Sequence, residues 1–387
     1  MTGLMKQPFA VPVKSLALPS IALLPSKPSV EDAGMPTATL LNEIQALSAA
    51  DPEHRSQSLD ILQLIAQAGW LGLGIDRQQG GNGGSILDAV EAIAAVSEVC
   101  LTSGFAFWCQ RTFIQYLVTS ENDWLKSEIL PIVLRAERAG ATGMSNAMKH
   151  LSGLEPLRLK AERQTGSIQL QGSLPWASNL VPEQFFVAVA TETCDGEVVI
   201  VAIPSHAIGV ERSPDFDLLG MVAASTGALN FDQVWLPDRW IIAEAGRAFL
   251  PKVRPSFLLF QCGLPLGTIR AALKAIAPTL SGPSAVLNPR YAQAQIQLEG
   301  LTADLHFLAQ LGEFSLPQLR QLFELRIALT RLATKVTWLE LEARGGRGYH
   351  AGSTAKRLRE VAFLPVLTPS LVQLERELQR TAVEAAA

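Results

Sequence analysis

Hydrophobic positions change their period twice along this chain. Over residues 37–69 they recur at helical spacing, with a break at Asp51-Pro52, where a new helix naturally starts. Within that run, 58–67 places Leu59, Leu62, Ile65 and Ala66 on one face, and Gly69 ends it. Residues 71–84 form a glycine-rich loop. Gly80, Gly81, Gly83 and Gly84 suit either a turn or a phosphate cradle, but no basic or Thr-Ser sequence follows to complete a nucleotide loop. Ser85 is placed to cap a helix over 86–100, striped by Val90, Ile93, Ala94 and Val96. An apolar helix follows over 102–118. Asn122 caps another over 123–139, with Asp123 in its first turn and Arg135 and Arg138 near its end, as the helix dipole prefers.

From Gly140 the period becomes two. Strands are predicted over 141–146, 157–163, 167–174, 184–190, 198–203 and 228–235, separated by turn residues such as Gly166, Asp195-Gly196 and Pro204-Ser205. The connections are too short for crossover helices, which predicts an antiparallel sheet. After Pro237 helices return. Residues 255–276 are apolar almost all round, so that helix is expected to be buried on every side. Ser315 and Pro317 open a long helix that Gly345 ends. At 1.5 Å per residue it spans roughly 40 Å. Residues 355–360 carry Lys356, Arg357 and Arg359, either a solvated helix face or a contact for a phosphate or anionic surface.

Runs of strands between runs of helices give an α+β class, mainly α. The expected domains are an irregular N-terminal extension (1–36), a helical domain (37–139), a central antiparallel β-domain (140–240) and a C-terminal helical bundle (241–387).

Composition narrows the function. Charged residues are 18% of the 387, the net charge is −4, and mean hydropathy is +0.21. Such a chain buries much of its surface, in a large core or between subunits. The acidic balance gives no nucleic-acid footprint. The most apolar run, 257–269, is interrupted by Gln261, Gly263 and Pro265 and is too short to span a membrane. Residues 1–36 lack a clean apolar core followed by a small-residue cleavage site. Cys100, Cys109, Cys194 and Cys262 are scattered without metal-ligand spacing, so no metal site is expected and a cytoplasmic location is.

The stretch GSLPWASN, 172–179, stands out. Gly172 loosens the strand, Pro175 fixes φ and removes a donor, and Trp176 then sits beside Ser178 and Asn179. A large flat ring next to short polar side chains serves either as the plug of a β-domain core or as the wall of a planar ligand site.

GSLPWASN resembles the strand and turn of the acyl-CoA dehydrogenase family. Three further stretches resemble that family in the same order: LGLGIDRQQGGNGG (71–84), LGMVAASTGALNFDQVWLP (219–237) and GGRGY (345–349). The resemblance runs from about 64 to 374. It implies FAD, with Met144 and Ser145 at the flavin pyrimidine edge and Trp176 and Ser178 at the stacking wall and its hydroxyl. It places Gly345 and Gly346 at the adenine end of a neighbouring subunit's cofactor, and Ser370 as a retained hydroxyl near the site. The substrate implied is a small molecule such as an acyl-CoA, and the assembly a homodimer or homotetramer.

The departures from the family are chemical. Its proton-abstracting glutamate, in a Y-E-G-T sequence, falls on Thr368 of FLPVLTPSLVQ, 363–373, and threonine is no base near neutral pH. Some members carry that glutamate on the first helix after the β-domain, but 255–276 holds no acid. The acidic loop of the family becomes SNAMKHLSG, 145–153, which brings in Lys149 and His150. His150 is the nearest candidate base, or a structural histidine. Lys149 either pairs with coenzyme A phosphates or is solvated. The adenine-diphosphate segment is replaced by LSGPSAVLNPR, 280–290. The expected function is FAD-dependent oxidation of a CH–CH bond in an acyl thioester or related substrate. The alternatives are a flavin monooxygenase or oxidase on the same fold, and a non-catalytic member used as a binding module.

Overall fold

The computed structural model describes residues 37–50 and 58–386. The expected helix start at Asp51-Pro52 and the extension 1–36 lie outside the described residues. Five helices come first: α1 Thr37–Ala50, α2 Ser58–Gln67, α3 Ile86–Val99, α4 Leu101–Thr119 and α5 Leu130–Leu134. Ser85 caps α3 in a full capping box with Asp88, which satisfies two otherwise orphaned donors. The loop between α2 and α3 is a turn held on itself: the Gly74 amide donates to the Gly83 carbonyl, and the Gly83 amide donates to the Ile75 carbonyl. The helix expected over 123–139 is interrupted. Asn122 does cap it, accepting from the amides of Trp124 and Leu125. A π-helical turn then occupies Leu125–Ile129, and the helix stops at Leu134, before Arg135 and Arg138.

α4 is buried along nearly its whole length, including Gln110 and Arg111. Both polar side chains are spoken for. Gln110 accepts from the Gly140 amide at 2.5 Å and donates to the carbonyls of Val133 and Arg138. It thereby ties the helices to the first strand. Arg111 donates to the Leu73 carbonyl at 3.1 and 3.3 Å and lies 4.6 Å from the Phe260 ring, and burial pushes its pKa down to about 9.

The middle of the chain is an eight-stranded sheet: β1 Ala139–Thr142, β2 Lys160–Gln164, β3 Ser167–Ala177, β4 Phe185–Thr193, β5 Val198–Pro204, β6 Val210–Arg212, β7 Gly227–Pro237 and β8 Ile241–Ala243. Its order is β6-β7-β3-β2-β4-β5-β8, with β1 beside β4. The sheet is mixed, which corrects the expected antiparallel domain: β1 and β2 both run parallel to β4. The cause is α6, Ser145–Leu151, which lifts the chain away from β1 before it returns as β2. The strand expected over 141–146 therefore ends at Thr142. Asn146 anchors the excursion, donating to Glu155 and the Pro156 carbonyl and accepting from the Arg158 amide.

β3 is irregular where it matters. Its register with β7 slips between Leu170 and Gly172 and again between Leu174 and Ala177. At Gly172, φ is +132°, and a Cβ would lie 2.5 Å from the Arg158 carbonyl oxygen. Pro175, without a donor, sits in the second irregularity, where a missing ladder bond costs least. Bulges of this kind turn a strand's side chains to a new direction.

The C-terminal region contains α7 Gly246–Ile276, α8 Asn288–Ala309, α9 Leu316–Arg344, α10 Gly346–Tyr349, α11 Ser353–Val361 and α12 Leu371–Ala386. α7 starts earlier than expected and carries Pro251, Pro255 and Pro265 within it. The segment Gly246–Thr279 is long and apolar enough to cross a membrane, yet 89% of its most apolar window is buried inside the protein. It lies between α3 and α9. The contact with α3 is close enough that a Cβ on Gly267 would sit 2.1 Å from the Ala94 carbonyl oxygen. The basic face of α11 divides: Arg357 pairs with the fully buried Glu340 at 2.9 Å and Lys356 reaches Cys100, while Arg359 is exposed.

Candidate functional site

The second irregularity of β3 carries Trp176 out of the core. It is 44% exposed and stands 5.0 Å from the Phe216 ring, which removes the reading of it as a core plug. Ala177 and Ser178 turn back inward behind it. The end of β1 and the start of α6 supply Thr142 and Ser145 on the same side. These segments meet α4, α7 and the turn after α11 around a cavity of about 60 Å³.

Its apolar wall is aromatic. α4 contributes Phe105 and Trp108, α7 contributes Phe257, and the turn after α11 contributes Phe363. Phe105 stacks on Trp108 at 5.4 Å and meets Phe363 edge-on at 5.0 Å, while Trp108 meets Phe257 edge-on at 5.0 Å. The Trp108 indole N–H donates to the Phe257 carbonyl, so the largest ring is oriented as well as packed.

Its polar wall is a set of hydroxyls. The Ser145 hydroxyl donates to Thr368 Oγ1 at 2.9 Å. Ser178 and Thr226 share a hydrogen bond at 2.9 Å, and Tyr116 and Thr142 share one at 3.1 Å. Thr368 is held from behind: its carbonyl accepts from Gln261 of α7 at 2.8 Å, and Gln261 in turn accepts from Arg326 of α9 at 3.2 Å. Arg326 also donates to the Leu364 carbonyl and to Thr330. Burial lowers its pKa to about 10. A guanidinium, an amide and a carbonyl in series thus fix the turn that presents Thr368.

Among the described residues, the cavity lining holds no carboxylate, histidine, lysine or arginine. α7 faces it with Phe257. The one ionisable side chain in the lining is Cys109 of α4, fully buried, whose thiol burial pushes well above the usual thiol range.

The residues singled out from sequence divide into two groups. Ser145, Trp176, Ser178 and Thr368 come together at the cavity, with Met144 fully buried immediately behind Ser145. The others stand elsewhere. His150 is in the last turn of a helix where a flexible loop was expected, outside the cavity lining. Lys149 pairs with Glu155 at 3.5 Å. Ser370 caps α12: its hydroxyl accepts from the Gln373 amide, and its own amide donates to the Gln373 side chain. Gly345 and Gly346 follow α9 in open space, where a Cβ at either would meet nothing within 4 Å.

Reading the sequence assigned no role to the four aromatic wall residues, to Thr142 or to the Gln261–Arg326 pair. The pair did leave a signal, a glutamine and an arginine embedded in apolar helical runs, which stay buried only when hydrogen-bonded.

A planar ring system fits this geometry at the surface and not within the cavity. Pockets that enclose a ligand run to about 300–1,000 Å³. Trp176 offers an exposed flat wall, and Ser145 and Ser178 line the cavity behind it.

Comparison with known proteins gives a consistent relationship. The sequence profile for acyl-CoA dehydrogenase, N-terminal domain, matches residues 38–137. The mitochondrial isovaleryl-CoA dehydrogenase of Solanum tuberosum is 22% identical over 309 residues, which cover 76% of this chain and 74% of that protein. Among solved structures, butyryl-CoA dehydrogenase from Megasphaera elsdenii superposes with a TM-score of 0.77 at 16% identity, covering 90% of this chain and 97% of that one. Dibenzothiophene monooxygenase from Paenibacillus sp. A11-2 superposes with a TM-score of 0.74 at 19% identity, covering 90% and 96%. At these identities the structural matches speak for the fold.

Proposed function

We propose that the chain is a member of the acyl-CoA dehydrogenase family, to which its sequence and fold are similar, and that it is an FAD-dependent oxidoreductase acting on a CH–CH bond of an acyl thioester or a related small molecule. The observation that carries this reading is the exposed Trp176, set by a bulge next to Ser145 and Ser178 at the mouth of an aromatic cavity. Trp176 would cover one face of the flavin ring, and the two hydroxyls would meet its polar edge. FAD, when bound, supplies a two-electron acceptor beside the cavity. The chain's own contribution is a dry, oriented pocket: Phe105, Trp108, Phe257 and Phe363 exclude water, and Thr368 is fixed by Ser145 and Gln261. Gly345 and Gly346 stand away from this cavity, which suits a role toward the cofactor of a second subunit in a homodimer or homotetramer.

A second reading is favoured by one observation. No base lines the cavity, so α-proton abstraction has no evident agent among the described residues. Oxygen chemistry at a flavin needs no such base, and a monooxygenase shares this fold. Anaerobic mixing of purified yellow protein with acyl-CoA thioesters separates the two. Bleaching of the flavin supports the dehydrogenase. Oxygen uptake driven by reduced flavin, with no bleaching by any thioester, supports the oxygenase. A colourless protein that takes up no flavin would leave only a binding role.

A further inference from the structure

Cys100 and Lys356 meet although 256 positions separate them. The Lys356 ammonium donates to the Cys100 sulfur at 3.3 Å and to the Ser48 carbonyl at 3.4 Å, and it lies 3.9 Å from Glu360. Glu360 is already engaged, accepting from Thr102 at 2.5 Å. Cys100 is the N-cap residue of the 19-residue α4, and its side chain makes no capping bond there. A sulfur beside both a helix N-terminus and a lysine is in the electropositive setting that reactive thiols occupy. Among the described residues, no other cysteine has an amine within hydrogen-bond reach. Cys100, Cys109 and Cys262 are all buried and Cys194 is exposed, so what sets Cys100 apart is the amine beside it.

Burial works against the charge on Lys356, but Cys100 and then Glu360 outweigh it and hold the ammonium above the ordinary lysine range.

We propose that Cys100 and Lys356 are an oxidation-sensitive pair that closes to a covalent sulfur–nitrogen bond when a peroxide reaches it. Cys100 attacks hydrogen peroxide, the O–O bond breaks, and a sulfenic acid and water result. Lys356 gives up a proton to solvent, its amine attacks that sulfur, an S–N bond forms, and the S–O bond breaks with loss of a second water. One thiol, one amine and one peroxide give one sulfenamide and two waters; sulfur loses two electrons and the peroxide gains them. Two equivalents of an added thiol reverse the bond, regenerating Cys100 and Lys356 and leaving a disulfide. The bond would fasten α11 to the start of α4. α11 leads into the turn that carries Phe363 and Thr368, and α4 carries Phe105 and Trp108. Oxidation would therefore lock two walls of the cavity together.

The test uses the full-length protein, titrated with hydrogen peroxide, quenched with an alkylating reagent, digested and read by mass spectrometry. The expected product joins the peptides of Cys100 and Lys356, is lighter by two hydrogens than their sum, and separates in dithiothreitol. Lys356→Arg keeps the positive charge and removes the primary amine; there Cys100 should stop at a sulfenic acid that dimedone traps. Amide exchange over 362–370 should slow in the linked protein and recover on reduction. The proposal is overturned if Cys100 in the unaltered protein stays alkylatable while Cys194 oxidises. It is equally overturned if Cys100 proceeds to sulfenic or sulfinic acid with Lys356 free.

Discussion

The hydroxyl of Ser145 donates to that of Thr368 at 2.9 Å, joining α6 to the turn before α12 across 223 positions of sequence. Neither group is charged, and neither can take a proton from carbon unaided near neutral pH. The contact therefore orients and seals. It closes the cavity between the β-sheet side, where Ser145 begins α6, and the helical side, where Gln261 and Arg326 hold Thr368.

Trp176→Ala should weaken flavin binding more than it weakens folding. The ring is 44% exposed, so its removal opens no core cavity of the kind that costs 3–5 kcal/mol. Equilibrium titration with FAD, beside thermal unfolding of flavin-free protein, separates the two effects. A large drop in the flavin-free melting temperature with unchanged FAD affinity would assign Trp176 to packing alone.

Gly267→Ala tests the close contact of α7 with α3. The added methyl would sit 2.1 Å from the Ala94 carbonyl and 2.7 Å from the Glu98 amide nitrogen, both backbone atoms that cannot rotate away. Overpacking of this sort costs typically about 1–3 kcal/mol. Chemical denaturation should show at least that loss, and unchanged stability would mean that the two helices part easily.

Much of this fold was legible in the sequence because local chemistry and tertiary structure agree there. Ser85 and Ser315 each open a helix with a capping box, and alternating 167–170 becomes β3. The bulge that exposes Trp176 follows from Gly172 and Pro175, residues whose backbone limits are visible without any structure. Other features depend on what lies opposite. Phe105, Trp108 and Phe257 belong to helices that are apolar all round, so periodicity cannot say which side faces a cavity. α6 was read as strand and loop because its first residues continue the alternation of β1. α8 was not read as a helix at all, since its polar and small residues give no clear stripe. Lys356 and Arg357 on α11 read as either solvated or facing an anion because their partners, Cys100 and Glu340, are distant in sequence.

Acid should weaken the contact of α3 with α7 and α8 through Glu91. Burial pushes this carboxyl upward, but Arg270 at 2.6 and 3.1 Å and then His306 at 3.4 Å outweigh it and hold its pKa below 4.5. A carboxyl with a lowered folded-state pKa adds stability above its unfolded value, and that stability is lost as pH falls through the folded value. Unfolding free energy should therefore decline below about pH 4.5, and Glu91→Gln should flatten that part of the curve while leaving other acid-sensitive pairs intact. Parallel pH profiles for the two proteins would show the idea mistaken.

The decisive substitution is Thr368→Glu. Thr368 lines the cavity, and no other lining residue among those described supplies a carboxylate or imidazole. A glutamate there would extend into a space bounded by Phe257, Phe363 and Trp108, with Ser145 as its nearest hydroxyl donor. An aromatic enclosure raises a carboxyl's pKa toward the range useful to a general base, and the Ser145 hydroxyl would stabilise its charged form. General-base catalysis is worth roughly two to four orders of magnitude. Anaerobic stopped-flow reduction of the flavin by acyl-CoA should accelerate by an amount approaching that range. His150→Ala is the companion measurement. The side chain lies outside the cavity lining, so its loss should change the rate of reduction far less than the glutamate does. If Thr368→Glu binds flavin and thioester normally yet reduces no faster, while the unaltered protein consumes oxygen with reduced flavin, proton abstraction is not the reaction this cavity serves.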